Sequence, residues 1–258
     1  MSGNNGSYTR TELLVTVASS LLQDNKSAIL GTGLPLLAGL LAQKTHAPNL
    51  LLIFEAGGFG AEVPRLPVSV GDSRTFYRAN SASSMHDVMS AGQAGYIDYG
   101  FLGAAQIDAY GNLNTTVIGP HKRPKVRLPG SGGAADIGSF AWETIIIMNQ
   151  DARRFVPKLD FLTTPGFLDG RDARSRVGLP EKTGPYRVIS QLGLYDFCQE
   201  TRRMRLIAVH PGVTVEDALA ASGFELLVAD QVIETTPPTE EQQRIMHELD
   251  PAGLILGR

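Results

Sequence analysis

A single cysteine stands among 258 residues. Cys198 has no second thiol in the chain to pair with, and one thiol is too few for a zinc ribbon or an iron–sulfur cluster. Its setting, Tyr195-Asp-Phe-Cys-Gln199, reads as that of a buried, inert thiol rather than a nucleophile. Excess charge is also lacking. The 23 Lys+Arg against 26 Asp+Glu leave −3, which speaks against a broad phosphate-binding face for nucleic acid. The five histidines (His46, His86, His121, His210, His247) show neither i,i+4 nor His-x-His spacing, so no metal site is expected. No Gly-x-Ser-x-Gly elbow offers a serine hydrolase nucleophile. The longest uncharged stretch, Ser27 to Gln43, is broken by Gly31-Thr-Gly-Leu-Pro35 into halves too short to cross a membrane. The start, Met1 to Ser7, is polar and lacks the basic-then-apolar order of a signal peptide. A soluble, cytoplasmic protein is the expectation.

Glycine is what the chain has in excess: 28 of 258 residues, about 11% against a usual ~7%. The apolar residues are ordered. Thr9 and Glu12 have the spacing of a capping box, and apolar positions 13, 14, 17, 18, 21 and 22 then follow a helical period. Ser27–Leu30 is a short apolar strand, Pro35 suits the first turn of a helix running to about Lys44, and Leu50–Phe54 is a second strand. Strand, helix and strand within so short a span, with continuous apolar strands, predict a βαβ unit. Further apolar runs at Gly100–Gly103, Thr144–Met148, Arg187–Ile189 and Arg205–Val209 extend the pattern. Thr214 with Asp217 and Thr239 with Gln242 mark two later helix starts. The expected fold class is α/β: an open, mostly parallel sheet with flanking helices. Segments of about 62–80 and 112–139 read as long loops rich in Gly, Pro and basic residues. No repeat, tail or linker divides the chain, so residues 1–258 are expected to form one domain.

Several stretches carry candidate chemistry. Gly31-Thr32-Gly33 lacks the third glycine of a dinucleotide fingerprint and reads as a tight strand–helix turn. In Leu50-Leu-Leu-Ile-Phe-Glu55-Ala-Gly57-Gly58-Phe-Gly60 a carboxylate sits where a buried strand meets a glycine-rich turn. In open parallel sheets that edge is where ligands bind. Gly57 and Gly58, without side chains, are expected to let a bulky substrate approach Glu55 and to leave backbone N–H groups facing it; the alternative is an acid solvated at a strand end. Gly130-Ser-Gly132-Gly133-Ala134-Ala135-Asp136 suits a nest of N–H donors for an oxyanion, or else a flexible surface loop. Around Gln106, Asp108 to Asn112 suit either a site turn or a plain hairpin. The basic run His121 to Arg127 reads as a solvated loop.

Taken in order, these stretches resemble the β subunit of class I CoA-transferases, of the glutaconate CoA-transferase type. The matching pieces are Gly-Thr-Gly-Leu-Pro at 31–35, His46-Ala-Pro48, the Glu55 turn, Gly-Ala-Ala-Gln-Ile-Asp at 103–108, Tyr-Gly-Asn at 110–112, Gly-Ser-Gly-Gly-Ala at 130–134, Arg153-Arg-Phe155, Thr-Pro-Gly at 164–166 and the tail from Ile245 to Pro251. The resemblance implies a CoA-transferase-like α/β fold and an active site shared with a separately encoded α subunit in a hetero-oligomer. It makes Glu55 the catalytic nucleophile, which takes CoA from an acyl-CoA as a glutamyl-CoA thioester and passes it to a second carboxylic acid. Gly132, Gly133 and Ala134 become oxyanion or CoA-binding donors, with Gln106, Gly57 and Gly58 near the thioester. No cofactor is implied beyond coenzyme A as substrate, and neither nucleic acid nor membrane is a partner. Succinyl-type members carry Ser-Glu-Asn-Gly around the nucleophile. This chain has Phe54-Glu55-Ala56-Gly57, so the acyl group is left open. Two other functions also stay open: a CoA-thioester hydrolase, ring-opening hydrolase or decarboxylase on the same fold, and a non-catalytic sensing or scaffolding subunit.

Overall fold

The computed structural model describes residues 8–257, so the polar start at 1–7 lies outside the described residues. Helix α1 (Arg10–Ser20) begins as the sequence predicts: the Thr9 hydroxyl accepts from the Glu12 N–H and the Glu12 carboxylate accepts from the Thr9 N–H. Leu13, Val17 and Ala18 bury the apolar face. Strand β1 (Ser27–Ile29), helix α2 (Leu34–Lys44) and strand β2 (Leu51–Ile53) form the expected βαβ unit, with Ser27, Ala28 and Ile29 in parallel register with Leu51, Leu52 and Ile53. Gly33 caps α2 at φ +90°, a left-handed conformation that glycine adopts without a steric cost.

Beyond β2 the chain reverses into β3 (Gly58–Phe59) and β4 (Ser81–Ala82), which add antiparallel strands to the outer side of β2. The intervening 62–80 is irregular apart from one 3-10 turn at Ser73–Phe76. A capping box that sequence reading missed, Ser84 with Asp87, starts α3 (Met85–Gln93). Strand β5 (Tyr99–Leu102) then pairs in parallel with the free side of β1.

The next segment corrects the expectation of a long loop over 112–139. The plain hairpin that Asp108 to Asn112 suit is present, β6 (Gln106–Ile107) with β7 (Leu113–Asn114), and a second one replaces part of the loop, β8 (Val117–Ile118) with β9 (Val126–Arg127). Strands of two residues leave no periodicity to detect. The basic run 121–127 is the tip and returning arm of the second hairpin. Helix α4 (Ala134–Phe140) follows the glycine-rich segment and buries Ile137 and Phe140. Then come β10 (Glu143–Ile147), the one-turn helix α5 (Ala173–Arg176), β11 (Pro185–Ile189), β12 (Gly193–Phe197), β13 (Met204–Val209), α6 (Val215–Ala220) and β14 (Leu227–Glu234). Pairing is parallel for β10–β11 and β13–β14 and antiparallel for β11–β12 and β12–β13. The late capping boxes at Thr214 and Thr239 are both present. The second of them starts α7 (Glu240–Leu249), which packs on α1 and α2.

Two compact units result: one up to Phe101 together with the segment from Thr236 onward, the other Leu102–Thr235. In the first, parallel-paired buried strands are edged by antiparallel β3 and β4; in the second, the antiparallel pairings of β12 lie between the parallel pairs β10–β11 and β13–β14. The α/β class with an open sheet and flanking helices is what forms. Among the described residues no helix is long and apolar enough to cross a membrane.

Candidate active site

In the first unit, β2 delivers Phe54, which is 1% exposed, into a tight turn. The Gly57 N–H donates to the Phe54 carbonyl at 2.9 Å, and the Phe54 N–H donates to the Gly58 carbonyl at 2.8 Å. Glu55 and Ala56 occupy the two corners of that turn. Glu55 is half-buried, and among the described residues no hydrogen bond or ion pair holds its carboxylate. A carboxylate without internal partners, fixed at the outlet of a buried parallel strand, is available to a ligand.

The glycines behind it do something other than expected. A Cβ on Gly57 would lie 2.2 Å from the Ser83 carbonyl oxygen, and one on Gly58 would lie 2.0 Å from that of Thr75. Both glycines face the chain's own backbone, and the Gly57 carbonyl accepts from the Ser83 N–H. They brace the turn from behind and leave no path for substrate on that side. Gly57 also has φ +123°. Gly57→Ala is therefore expected to destabilise the protein by about 1–3 kcal/mol, through backbone strain and the clash. Displacement of Glu55 should lower kcat by at least about tenfold. Thermal unfolding and initial rates check both effects.

In the second unit the glycine-rich segment is held at one flank by Thr115. The Gly130 N–H donates to the Thr115 carbonyl at 2.9 Å, and the Thr115 hydroxyl donates to the Gly130 carbonyl at 2.7 Å. Gly130 and Gly132 have φ of +96° and +49°, and nothing lies within 4 Å of a Cβ placed on either. Gly133, at φ −79°, caps α4. The Ala134 N–H donates to the Ser131 carbonyl and that of Ala135 to the Ser131 hydroxyl. Ala134 is thus not a free donor, which corrects the sequence expectation. Among the described residues the N–H groups of Gly132 and Gly133 have no acceptor. The residues that flank this pair in sequence, Ser131 and Ala134, wall a groove of about 400 Å³ together with Gly103–Ala105, Thr115 and Leu128–Gly130.

Gln106 does not reach for a ligand. It is 6% exposed, its Nε2 donates to the Asp160 carboxylate, and its Oε1 accepts from Asn114 Nδ2 and the Asp160 N–H. With its amide committed, Gln106 orders the β6–β7 hairpin. Asp108 shapes the same hairpin, accepting from the Tyr110 and Asn112 N–H groups and from Asn112 Nδ2. Burial outweighs those bonds and lifts its carboxyl above the usual range. Asn112 Oδ1 in turn accepts from the N–H groups of Gly166 and Leu168. A Cβ on Gly166 would lie 2.3 Å from the Gly111 carbonyl carbon. The Tyr-Gly-Asn and Thr-Pro-Gly pieces are therefore two halves of one joint. Cys198 is half-buried rather than buried, and a hydrogen bond from Thr201 holds its thiol below the ordinary range. Among the described residues no group of three or more His, Cys, Asp and Glu side chains is placed to hold a metal.

A family profile described as coenzyme A transferase matches residues 11–221. The chain belongs to the coenzyme A transferase family. It is 39% identical over 244 residues, 94% of each chain, to the β subunit of the 3-oxoadipate CoA-transferase of Pseudomonas knackmussii. It is 36% identical over 257 residues to the β subunit of the glutaconate CoA-transferase of Acidaminococcus fermentans, covering 96% of this chain and 95% of that one. The crystal structure of the Acidaminococcus fermentans glutaconate coenzyme A-transferase superposes with a TM-score of 0.92 at 33% identity, covering 97% of this chain and 98% of that one. Both sequence relatives are the same one of the enzyme's named subunits, in keeping with the resemblance to a β subunit.

Proposed function

We propose that this coenzyme A transferase is the β subunit of an acyl-CoA:carboxylate CoA-transferase, with Glu55 as its nucleophile and a separate α subunit completing the site. The observation that carries this reading is the unpartnered Glu55 carboxylate at the tip of a turn braced by Ser83 and Thr75. A Glu55 oxygen attacks the thioester carbonyl of an acyl-CoA. The tetrahedral oxyanion collapses to a mixed anhydride and expels the CoA thiolate. That thiolate attacks the glutamyl carbonyl, forming a glutamyl-CoA thioester and releasing the first acid as its carboxylate. A second carboxylate runs the same steps in reverse and leaves as its CoA ester.

An anhydride conserves the energy of the thioester, so neither ATP nor water enters the cycle. Each attack develops an oxyanion, and we assign its stabilisation to the free N–H groups of Gly132 and Gly133; one such donor is typically worth ~3 kcal/mol. Binding of the distant nucleotide end of CoA helps drive the reacting centre together. Gln106, Gly57 and Gly58 act as framework. Coenzyme A is substrate and covalent intermediate, and no other cofactor enters the scheme.

Hydrolysis or carbon–carbon cleavage on the same fold needs no acceptor acid, which gives the test. The co-purified α and β subunits are incubated with acyl-CoA, with and without a carboxylic acid acceptor. Transfer predicts a new CoA ester with acceptor and no sustained release of free CoA without it. Steady CoA release in the absence of acceptor assigns the chain to the hydrolytic branch instead.

A further inference from the structure

Arg174 is 6% exposed, and among the described residues no carboxylate pairs with it. Its Nη1 donates to the carbonyls of Pro165 and Gly166 at 3.2 and 2.8 Å. Its Nη2 donates to the carbonyls of Gly138 and Ser139 at 3.2 and 3.1 Å and to the Thr183 hydroxyl at 2.7 Å. Burial pushes its pKa down to about 10. A cation so placed is normally neutralised by an acid. Here its partners are chiefly backbone carbonyls, two of them from the last turn of α4, where a helix leaves carbonyls unpaired and carries partial negative charge. The other two come from the Thr-Pro-Gly turn. A Cβ on Gly138 would lie 2.3 Å from Thr164 Cγ2, so α4 and that turn are also in direct contact.

The same turn reaches the opposite flank of the glycine-rich segment. The Thr163 hydroxyl accepts from the Thr115 N–H at 2.9 Å, and Thr115 brackets Gly130 with two hydrogen bonds. Residues 163–166 therefore anchor both sides of Gly130–Gly133, through Thr115 at the start and through Arg174 and α4 at the end. We propose that Arg174 is a positioning residue for the transfer reaction: by clamping the carbonyl end of α4 to the Thr-Pro-Gly turn, it fixes where Gly132 and Gly133 present their N–H groups. The inference rests on the oxyanion role assigned to those two glycines. The geometry calls for arginine in particular, because a planar guanidinium reaches five acceptors in three segments, whereas a lysine ammonium is a point donor with three protons.

The test uses Arg174→Lys and Arg174→Ala in the co-purified complex, with Thr183→Val as a milder variant that keeps the cation. Hydrogen exchange of the peptide spanning 130–137 should accelerate by about tenfold or more in both arginine variants, beyond any change in the remaining peptides. The kcat should fall by about 10–100-fold, with KM for acyl-CoA within about threefold of its starting value. Added methylguanidinium should restore part of the kcat to Arg174→Ala. If Arg174→Ala fails to fold, Arg174→Lys and Thr183→Val carry the same exchange comparison. Unchanged exchange in 130–137, or a kcat loss that only follows global unfolding, overturns the clamp. Failure of the wild-type complex to form an adduct on Glu55, with local exchange still accelerated in the variants, would instead count against the proposed chemistry and leave the clamp standing.

Discussion

Glu55→Ala, prepared as the complex with the α subunit, should lose CoA transfer by roughly 10⁴-fold or more, since removing a covalent nucleophile typically costs 10⁴–10⁶ in kcat. Its thermal unfolding should scarcely change. Those two halves follow from the same geometry. The carboxylate is half-buried at the corner of a turn and has no internal partner among the described residues, so the folded state loses no hydrogen bond when it is removed. The turn itself is held by the Phe54–Gly57 and Phe54–Gly58 backbone bonds and by packing against Ser83 and Thr75, none of which uses the Glu55 side chain. A large fall in Tm would mean that Glu55 has a structural role absent from this account. Intact transfer would end the nucleophile assignment. Initial rates and a melting curve on one preparation decide both.

The second large effect concerns a single proton donor. Gly133 has φ −79°, a value that proline accommodates, and proline deletes its N–H without removing the carbonyl that accepts from Ile137. Gly132 before it has no Cβ to crowd the proline ring. Gly133→Pro should therefore keep α4 and lower kcat by about 10²–10³-fold, corresponding to roughly 3 kcal/mol of lost oxyanion stabilisation. Gly133→Ala retains the N–H at an allowed φ and serves as the control. Equal rates for the two variants would remove Gly133 from the oxyanion site.

The features legible in the sequence were those with a local physical cause. Capping boxes at Thr9, Thr214 and Thr239 need only residues three apart, and all three formed. The first βαβ unit was marked by continuous apolar runs around a Gly-Pro turn, and its register follows. The strands β12 and β14 escaped notice. Exposure alternates along the short β12 and only in part along β14, and their turns carry no Asn-Gly or Asp-Gly signal, so pairing with β13 decides them more than local pattern. The hairpin that Asp108 to Asn112 suit forms as β6–β7, whereas the β8–β9 hairpin, with strands two residues long, leaves no pattern to read.

The site divides in the same way. Glu55 and the Gly130–Gly133 segment stand out by residue type at a strand end or helix start. Whether a glycine's bare face meets a ligand or another stretch of backbone depends on contacts distant in sequence, so Gly57 and Gly58 looked open until Ser83 and Thr75 were located. Gln106 likewise looked available until Asp160, 54 residues on, took its amide. Arg174 had no signal at all. One arginine among many on a chain of ordinary charge becomes conspicuous only when its burial and its ring of carbonyl partners are known.

The most direct measurement is the mass of the β-chain peptide that contains Glu55, taken after the co-purified complex has met acyl-CoA without acceptor. With Glu55 as nucleophile, that peptide gains an increment equal to CoA less water, carried by Glu55 and discharged when a carboxylic acid is added. An unmodified Glu55 peptide under conditions where the complex turns over, or the adduct on another residue, contradicts that assignment.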